Sequence, residues 1–287
     1  MPLASLAWDA RPARAGAVAL VLHGGAVDGR EPNHPWSHNV ARLVPFARAL
    51  RKVPGPLAVA RLRFRYRGWN GAEASPVEDA RWALAQIRAD YPDVPIALVG
   101  HSMGGRTALT VADDGNVRLV VGLSPWIERG DPVPRDGRKT VLIHGDRDII
   151  TPLSTSRRIV ERLLDDGRDA TLIRVARGDH AMLVRAGLWS TLVVDIVGST
   201  FAASSGAGPS RGPGRSARSS RARCTAAVAS STSDGSAPLP PDRLSQHGWS
   251  EVFSDSLWST ITSNDGSSKS ATRFPRPCRT RSVGWAA

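Results

Sequence analysis

One stretch restricts the fold more than any other. Residues 94–99, Val-Pro-Ile-Ala-Leu-Val, form an apolar run that stops at Gly100-His101-Ser102-Met103-Gly104, and Arg106 to Ala112 can then be helical. In the order strand, abrupt turn, helix, a Gly-x-Ser-x-Gly pattern has mechanical meaning. The turn forces its central residue into a strained backbone conformation, and the flanking glycines let strand and helix approach without Cβ clashes. The Ser102 hydroxyl is then lifted clear of the sheet at the positive end of a helix. A plain glycine-rich turn after a buried strand reads the same way locally, so the rest of the chain must decide.

Ala17 to Leu22 is another apolar run, ending in His23-Gly24-Gly25. Leu57 to Phe64 reads as a strand in which Arg63, Arg65 and Arg67 alternate with Leu62, Phe64 and Tyr66, the period of a strand with one wet or partly covered face. Val117 to Leu123 leads to Ser124-Pro125-Trp126, Lys139 to Ile143 to His144-Gly145-Asp146-Arg147-Asp148, and Ala170 to Val175 to Gly178-Asp179-His180. Helical spacing separates these runs. Val40, Leu43, Val44, Ala47 and Leu50 form one set, with Asn39 as candidate cap and Pro45 as a break. Ser75-Pro76-Val77-Glu78 reads as a capping box before Val77, Ala80, Leu84, Ile87 and Tyr91. Thr151-Pro152 starts a further helix, with Leu153, Ser156, Val160 and Leu163 on one side, and a last helix is expected from about Gly187 to Val197. Strands alternating with helices across short connections predict an α/β fold: a mostly parallel sheet with helices on both faces. Reactive groups in such sheets gather beyond the carboxyl ends of the strands, where Gly24-Gly25, Ser102, Trp126, Asp148 and His180 all fall.

A serine hydroxyl is a poor nucleophile near neutral pH and needs a base, which in turn needs a group to fix its tautomer. Ser102, Asp148 and His180 each follow a predicted strand, in the order Ser…Asp…His. On Gly100-His101-Ser102-Met103-Gly104, His144-Gly145-Asp146-Arg147-Asp148 with Thr151-Pro152, and Gly178-Asp179-His180, the chain resembles the α/β-hydrolases over about residues 16–200. The resemblance implies Ser102 as nucleophile, His180 as general base and then acid, and Asp148 as the orienting carboxylate, with Asp146 as its rival. It implies an oxyanion hole from the N–H groups of Met103 and Gly25, with Ala26 as the alternative to Gly25. Residues 127–138 are short and rich in Gly, Pro and charge, which leaves no room for a helical cap and makes the chain similar to capless carboxylesterases and dienelactone-hydrolase-like enzymes. It departs from the latter, which use a cysteine nucleophile, and has Arg65-Tyr66-Arg67-Gly68 where many relatives have Asp-x-Arg-Gly. Trp69 and Trp126 are candidates to line a substrate pocket or to pack on the sheet; Trp126 is the residue assigned to substrate binding. His101 and His144 are read as structural histidines. His34 and His38 lie four apart, but Pro35 between them speaks against a metal site.

Two domains are expected: a hydrolase domain over residues 1–200 and a tail over residues 201–287, low in complexity and disordered. The formal charge is +12, and half of that excess falls after residue 200, where eleven Lys and Arg stand against five Asp and Glu. Arginine outnumbers lysine throughout, and Ala, Gly and Pro are abundant, as the coding bias of a GC-rich genome produces. The function expected is hydrolysis of small carboxylic esters or thioesters through an acyl-enzyme, with no cofactor and no metal. No specific nucleic-acid partner and no membrane partner are expected, since no stretch approaches the roughly 20 apolar residues of a span. Leu3 to Trp8 is too short for a leader, Cys224 and Cys278 match no metal or redox spacing, and the expected setting is cytoplasmic. A non-catalytic binding protein of the same fold and a basic nucleic-acid-binding protein are the alternatives.

Overall fold

The computed structural model describes residues 2–135 and 137–204, the side chains of 203 and 204 excepted. The chain divides into two units, residues 1–214 and 215–287, and the described residues all belong to the first. The expectation of a disordered tail lies outside them. Seven strands form one sheet: β1 (Ser5–Ala10), β2 (Ala17–Leu22), β3 (Leu57–Arg63), β4 (Ile96–His101), β5 (Val117–Leu123), β6 (Lys139–Gly145) and β7 (Ala170–Val175). Their order is β1-β3-β2-β4-β5-β6-β7. Only β1 runs antiparallel, against β3; the other pairings are parallel.

Both faces of the sheet are covered, which is why the central strands read as unbroken apolar runs. In β2, Val18, Leu20 and Leu22 join a cluster with Val77, Ala80, Leu84 and Ile87 of α3 (Ser75–Asp90), Leu109 of α4 (Met103–Thr110), and Val160 and Leu163 of α5 (Leu153–Asp165). Ala17, Ala19 and Val21 point the other way, to Phe46, Ala47 and Leu50 of α2 (Val44–Leu50) and Trp189, Val193 and Val197 of α6 (Ala186–Ser204). A short α1 (His38–Ala41) precedes α2; the break falls at residues 42–43, and Pro45 sits in the first turn of α2, where a missing N–H costs no helical bond.

Three local readings need correction. β1 escaped notice because its burial is intermediate along most of its length, as befits an edge strand. It also supplies the partial cover expected over the arginines of β3: Arg61 forks onto the Asp9 carboxylate at 2.6 and 3.2 Å, and Arg63 Nε donates to Ser5 Oγ at 3.0 Å. Neither proposed cap forms. Asn39 lies inside α1, and Ser75 is the first residue of α3, its hydroxyl drawn back to Glu73 at 2.8 Å while Glu78 pairs with Arg65. The last helix continues to Ser204, beyond the expected Val197, because Phe201 adds a further buried position to the same apolar cluster.

Candidate active site

The turn after β4 has the predicted strain. Ser102 sits at φ 52°, ψ −116°, a left-handed conformation costly for a residue with a Cβ. The glycines permit the close approach: a Cβ on Gly100 would fall on the Gly104 carbonyl, and one on Gly104 on the carbonyls of Leu22 and His23. Ser102 N–H donates to the Leu123 carbonyl at 3.0 Å, and the Ser102 carbonyl accepts the Trp126 N–H at 3.1 Å. The strained residue is thus pinned to the end of β5 and to the segment that follows it.

The three side chains singled out from the sequence meet at the carboxyl ends of β4, β6 and β7. Ser102 Oγ lies 3.2 Å from His180 Nε2, and His180 Nδ1 lies 2.8 Å from Asp148 Oδ2. A carboxylate only accepts, so Nδ1 carries the hydrogen and Nε2 is left to accept from the serine hydroxyl. The Asp148 side chain is fully buried, and that of His180 is 16 % exposed. Asp146, the rival acid, faces away: its Oδ1 accepts the Arg177 N–H at 2.6 Å, and its Oδ2 lies 3.8 Å from Arg174.

Asp148 is held from every side. Its Oδ1 accepts the N–H groups of Ile150 and Thr151, both at 2.9 Å. Its Oδ2 accepts the Thr151 hydroxyl at 2.8 Å and lies 3.3 Å from His144 Nε2. Burial alone would raise the pKa of this carboxyl, but the bonds from His144, His180 and the Thr151 N–H outweigh it and hold Asp148 far below the usual carboxylate range. His144 is oriented in turn: Nε2 donates to the Thr151 carbonyl at 2.8 Å, and Nδ1 accepts from Ser156 Oγ at 2.8 Å.

Two further buried histidines brace the site. His23 Nδ1 donates to the Gly24 carbonyl at 2.6 Å, and its Nε2 accepts the Phe64 N–H at 3.1 Å. Burial, with help from the charge of Arg63 and against the bond to Gly24, lowers its pKa to about 4. His101 Nε2 donates to the His180 carbonyl at 2.8 Å, which ties the residue carrying the imidazole to the strand carrying the serine. Burial first, then the neighbouring His180, lowers the His101 pKa to about 3, against that same backbone bond. Both rings are therefore neutral near pH 7.

Gly24 and Gly25 pack against the elbow. A Cβ on Gly24 would stand 3.3 Å from Ser102 Cβ, and one on Gly25 would collide with the Met103 side chain. The Ala26 N–H donates to the Arg67 carbonyl at 2.9 Å and is already committed. The N–H groups of Gly25 and Met103 have no acceptor among the described residues.

Trp126 is part of a stack the sequence did not announce. The Arg106 guanidinium lies 4.1 Å from the Trp69 ring centroid and 4.5 Å from that of Trp126, and bonds to Glu128 at 2.9 Å and Asp131 at 2.7 Å. This clamp ties the short segment after β5, in which no helix forms among the described residues, to α4. The contacts of Thr151, His23 and Arg106 were the ones sequence reading missed. Thr151 had a signal, its place two residues after Ile149 in the segment that carries Asp148; the others join distant parts of the chain. Among the described residues, no group of three or more His, Cys, Asp or Glu side chains is gathered for a metal, and His34 instead stacks on Trp36 at 5.0 Å.

Residues 65–140 match the model of a family described as serine aminopeptidase, S33, a range that contains Ser102 but neither Asp148 nor His180. A curated relative, the magnesium-chelatase 30 kDa subunit of Rhodobacter capsulatus, is 28% identical over 155 residues, 52% of this chain; the chain spans about half that relative's length, 51%. Among solved structures, an α/β serine hydrolase homologue from Coxiella burnetii superposes with a TM-score of 0.54 at 17% identity, covering 68% of this chain and 90% of that one. An α/β serine hydrolase without lid from Xanthomonas campestris gives 0.51 at 20% identity, covering 68% and 87%. An esterase from Thermogutta terrifontis gives 0.52 at 17% identity, covering 72% and 90%. At these identities the likeness speaks for the fold alone: the chain is an α/β-hydrolase in fold, with no helical cap among its described residues.

Proposed function

We propose that the protein is a serine hydrolase that cleaves carboxylic esters or thioesters of small substrates through an acyl-enzyme. The observation that carries this reading is the unbroken chain of bonds from Ser102 Oγ through His180 to Asp148, at 3.2 and 2.8 Å. In this mechanism Ser102 Oγ attacks the substrate carbonyl carbon as its proton passes to His180 Nε2. Asp148 stabilises the imidazolium and keeps Nδ1 as the donor. The oxygen that gains charge is received by the N–H groups of Gly25 and Met103, which are supported in this role by having no other acceptor among the described residues. His180 then protonates the leaving alkoxide or thiolate. A water, deprotonated by the same nitrogen, attacks the acyl carbon, the bond to Oγ breaks, and the proton returns to Ser102. Trp126 is assigned to the wall of the substrate site because its backbone is bonded to Ser102 and its side chain is only partly buried.

The test is a panel of p-nitrophenyl esters, acyl thioesters, lactones and aminoacyl amides, the last because the matching family model is described as an aminopeptidase. Turnover of esters or thioesters that disappears in Ser102→Ala supports the reading. Turnover confined to amides, or undiminished in Ser102→Ala, contradicts it.

A further inference from the structure

Large apolar side chains exposed to solvent are unevenly placed. Four lie on two adjoining loops, those after β6 and β7: Ile149 at 92 % exposure, Ile150 at 66 %, Leu183 at 71 % and Val184 at 43 %. The loops are stitched to each other. Asp146 N–H donates to the Val175 carbonyl at 3.1 Å, Arg147 N–H to the Gly178 carbonyl at 3.0 Å, and a Cβ on Gly145 would fall on that same carbonyl. The outward display is built in. Ile150 N–H is bonded to Asp148, Val184 N–H to Asp179 Oδ1 at 2.9 Å, and the Val184 carbonyl to Trp189 Nε1 at 3.2 Å. Arg177, Met182 and Arg185 hold positive φ of 61°, 59° and 60°, with Met182 buried as the anchor. Leu183 and Val184 therefore cannot fold back onto the core without breaking these bonds.

The same loops carry three acids and three arginines, which differ in what they are bonded to. Each acid is engaged: Asp146 by Arg177 N–H and Arg174, Asp148 within the site, Asp179 by Val184 N–H. Arg147, Arg177 and Arg185 are exposed, and their guanidinium groups have no ion pair or hydrogen bond among the described residues.

We propose that this shoulder, residues 146–150 and 176–185, docks on an anionic lipid surface. Ile149, Ile150, Leu183 and Val184 enter the acyl region, and Arg147, Arg177 and Arg185 meet the phosphates. A residue lining a small-molecule cleft is covered by the opposite wall; Ile149 and Leu183 have no such wall. Ile149 directly follows Asp148 and Leu183 comes three residues after His180, so docking places the site at the lipid edge and selects esters held there. That last step rests on the hydrolase reading; the docking does not. The expectation of no membrane partner came from the lack of a spanning stretch, and among the described residues no helix is long and apolar enough to cross. Docking needs none.

The test uses full-length Ser102→Ala, which binds without turnover, in co-sedimentation at physiological salt with phosphatidylglycerol–phosphatidylcholine vesicles and with phosphatidylcholine vesicles alone. Binding to the anionic vesicles is expected, weakened about tenfold or more by adding Ile149→Ser and Leu183→Ser. Arg147→Gln with Arg177→Gln and Arg185→Gln is expected to remove the preference for anionic lipid. Melting temperatures matching the parent establish that the variants fold. No binding, binding unchanged in these variants, or loss only of association with an acidic protein overturns the proposal. With Ser102 restored, Ile149→Ser/Leu183→Ser is expected to lose turnover of a long-chain ester in vesicles while keeping that of a water-soluble ester. If neither ester is cleaved by the parent, the hydrolase reading fails and the docking result stands by itself.

Discussion

Asp146 and Asp148 are two residues apart, and only one reaches the imidazole. The sequence favoured Asp148 for its place before Thr151-Pro152. The physical reason is the tight turn after β6, which spends Asp146 on the Arg177 N–H and turns Asp148 inward to His180. Asp148→Asn would present an amide that cannot stabilise an imidazolium or hold the same tautomer. Ester turnover is expected to fall by about 10⁴, the order known for the same change in a serine protease. Asp146→Asn is expected to stay within a few-fold of the parent, and steady-state kinetics on the two variants check the assignment. That Ser102, His180 and Gly25 share one rim was legible because each follows a strand of a parallel sheet at the same end. His23 was not given a role, because what it braces, Gly24 and Phe64, is recognised only once β2 and β3 lie side by side.

At the level of elements, unbroken apolar runs gave the parallel strands, and the stripe Val77, Ala80, Leu84 and Ile87 is buried in α3 as its spacing predicts, with Tyr91 buried just past the helix end. The errors fell where side chains have competing partners: Ser75 and Glu78 are bonded to Glu73 and Arg65 instead of closing a capping box. β1 carried a half-buried pattern too weak to separate from a loop. The absence of a cap was readable from the short, Gly- and Pro-rich residues 127–138; how that segment is held was not. Arg106, 7 % exposed, does it through Asp131, Glu128 and the faces of Trp69 and Trp126. Arg106→Met keeps the bulk but leaves Asp131, only 12 % exposed, without its cationic partner and with the Glu128 N–H alone to hold its charge. A loss of about 3 kcal/mol is expected, the low end for breaking a buried pair because Glu128 is half exposed. Urea denaturation measures it, and an unchanged midpoint would remove the clamp from the account.

For the whole molecule, the two neutral histidines couple stability to pH. The folded pKa values of His23 and His101, about 4 and about 3, lie below the unfolded value near 6.5. Their contribution is complete above about pH 6.5 and is lost as pH falls toward those folded values, since only the unfolded chain takes up protons in that window. The slope approaches 1.4 kcal/mol per pH unit for each ring, as an upper, order-of-magnitude figure. The melting temperature is expected to drop steadily from pH 6.5 to 4.5, and His23→Gln to make the fall shallower; a flat profile would contradict two buried neutral rings. Residues 1–214 form the unit that holds the whole site, so a chain ending at residue 214 is expected to melt within a few degrees of the parent and to keep its ester turnover. The central claim is that Ser102 is made nucleophilic by His180. Mass spectrometry after reaction with a fluorophosphonate tests it most directly: one adduct is expected, on Ser102, slowed at least a hundredfold in His180→Ala. Labelling at another residue, or at Ser102 with an unchanged rate in His180→Ala, would contradict it.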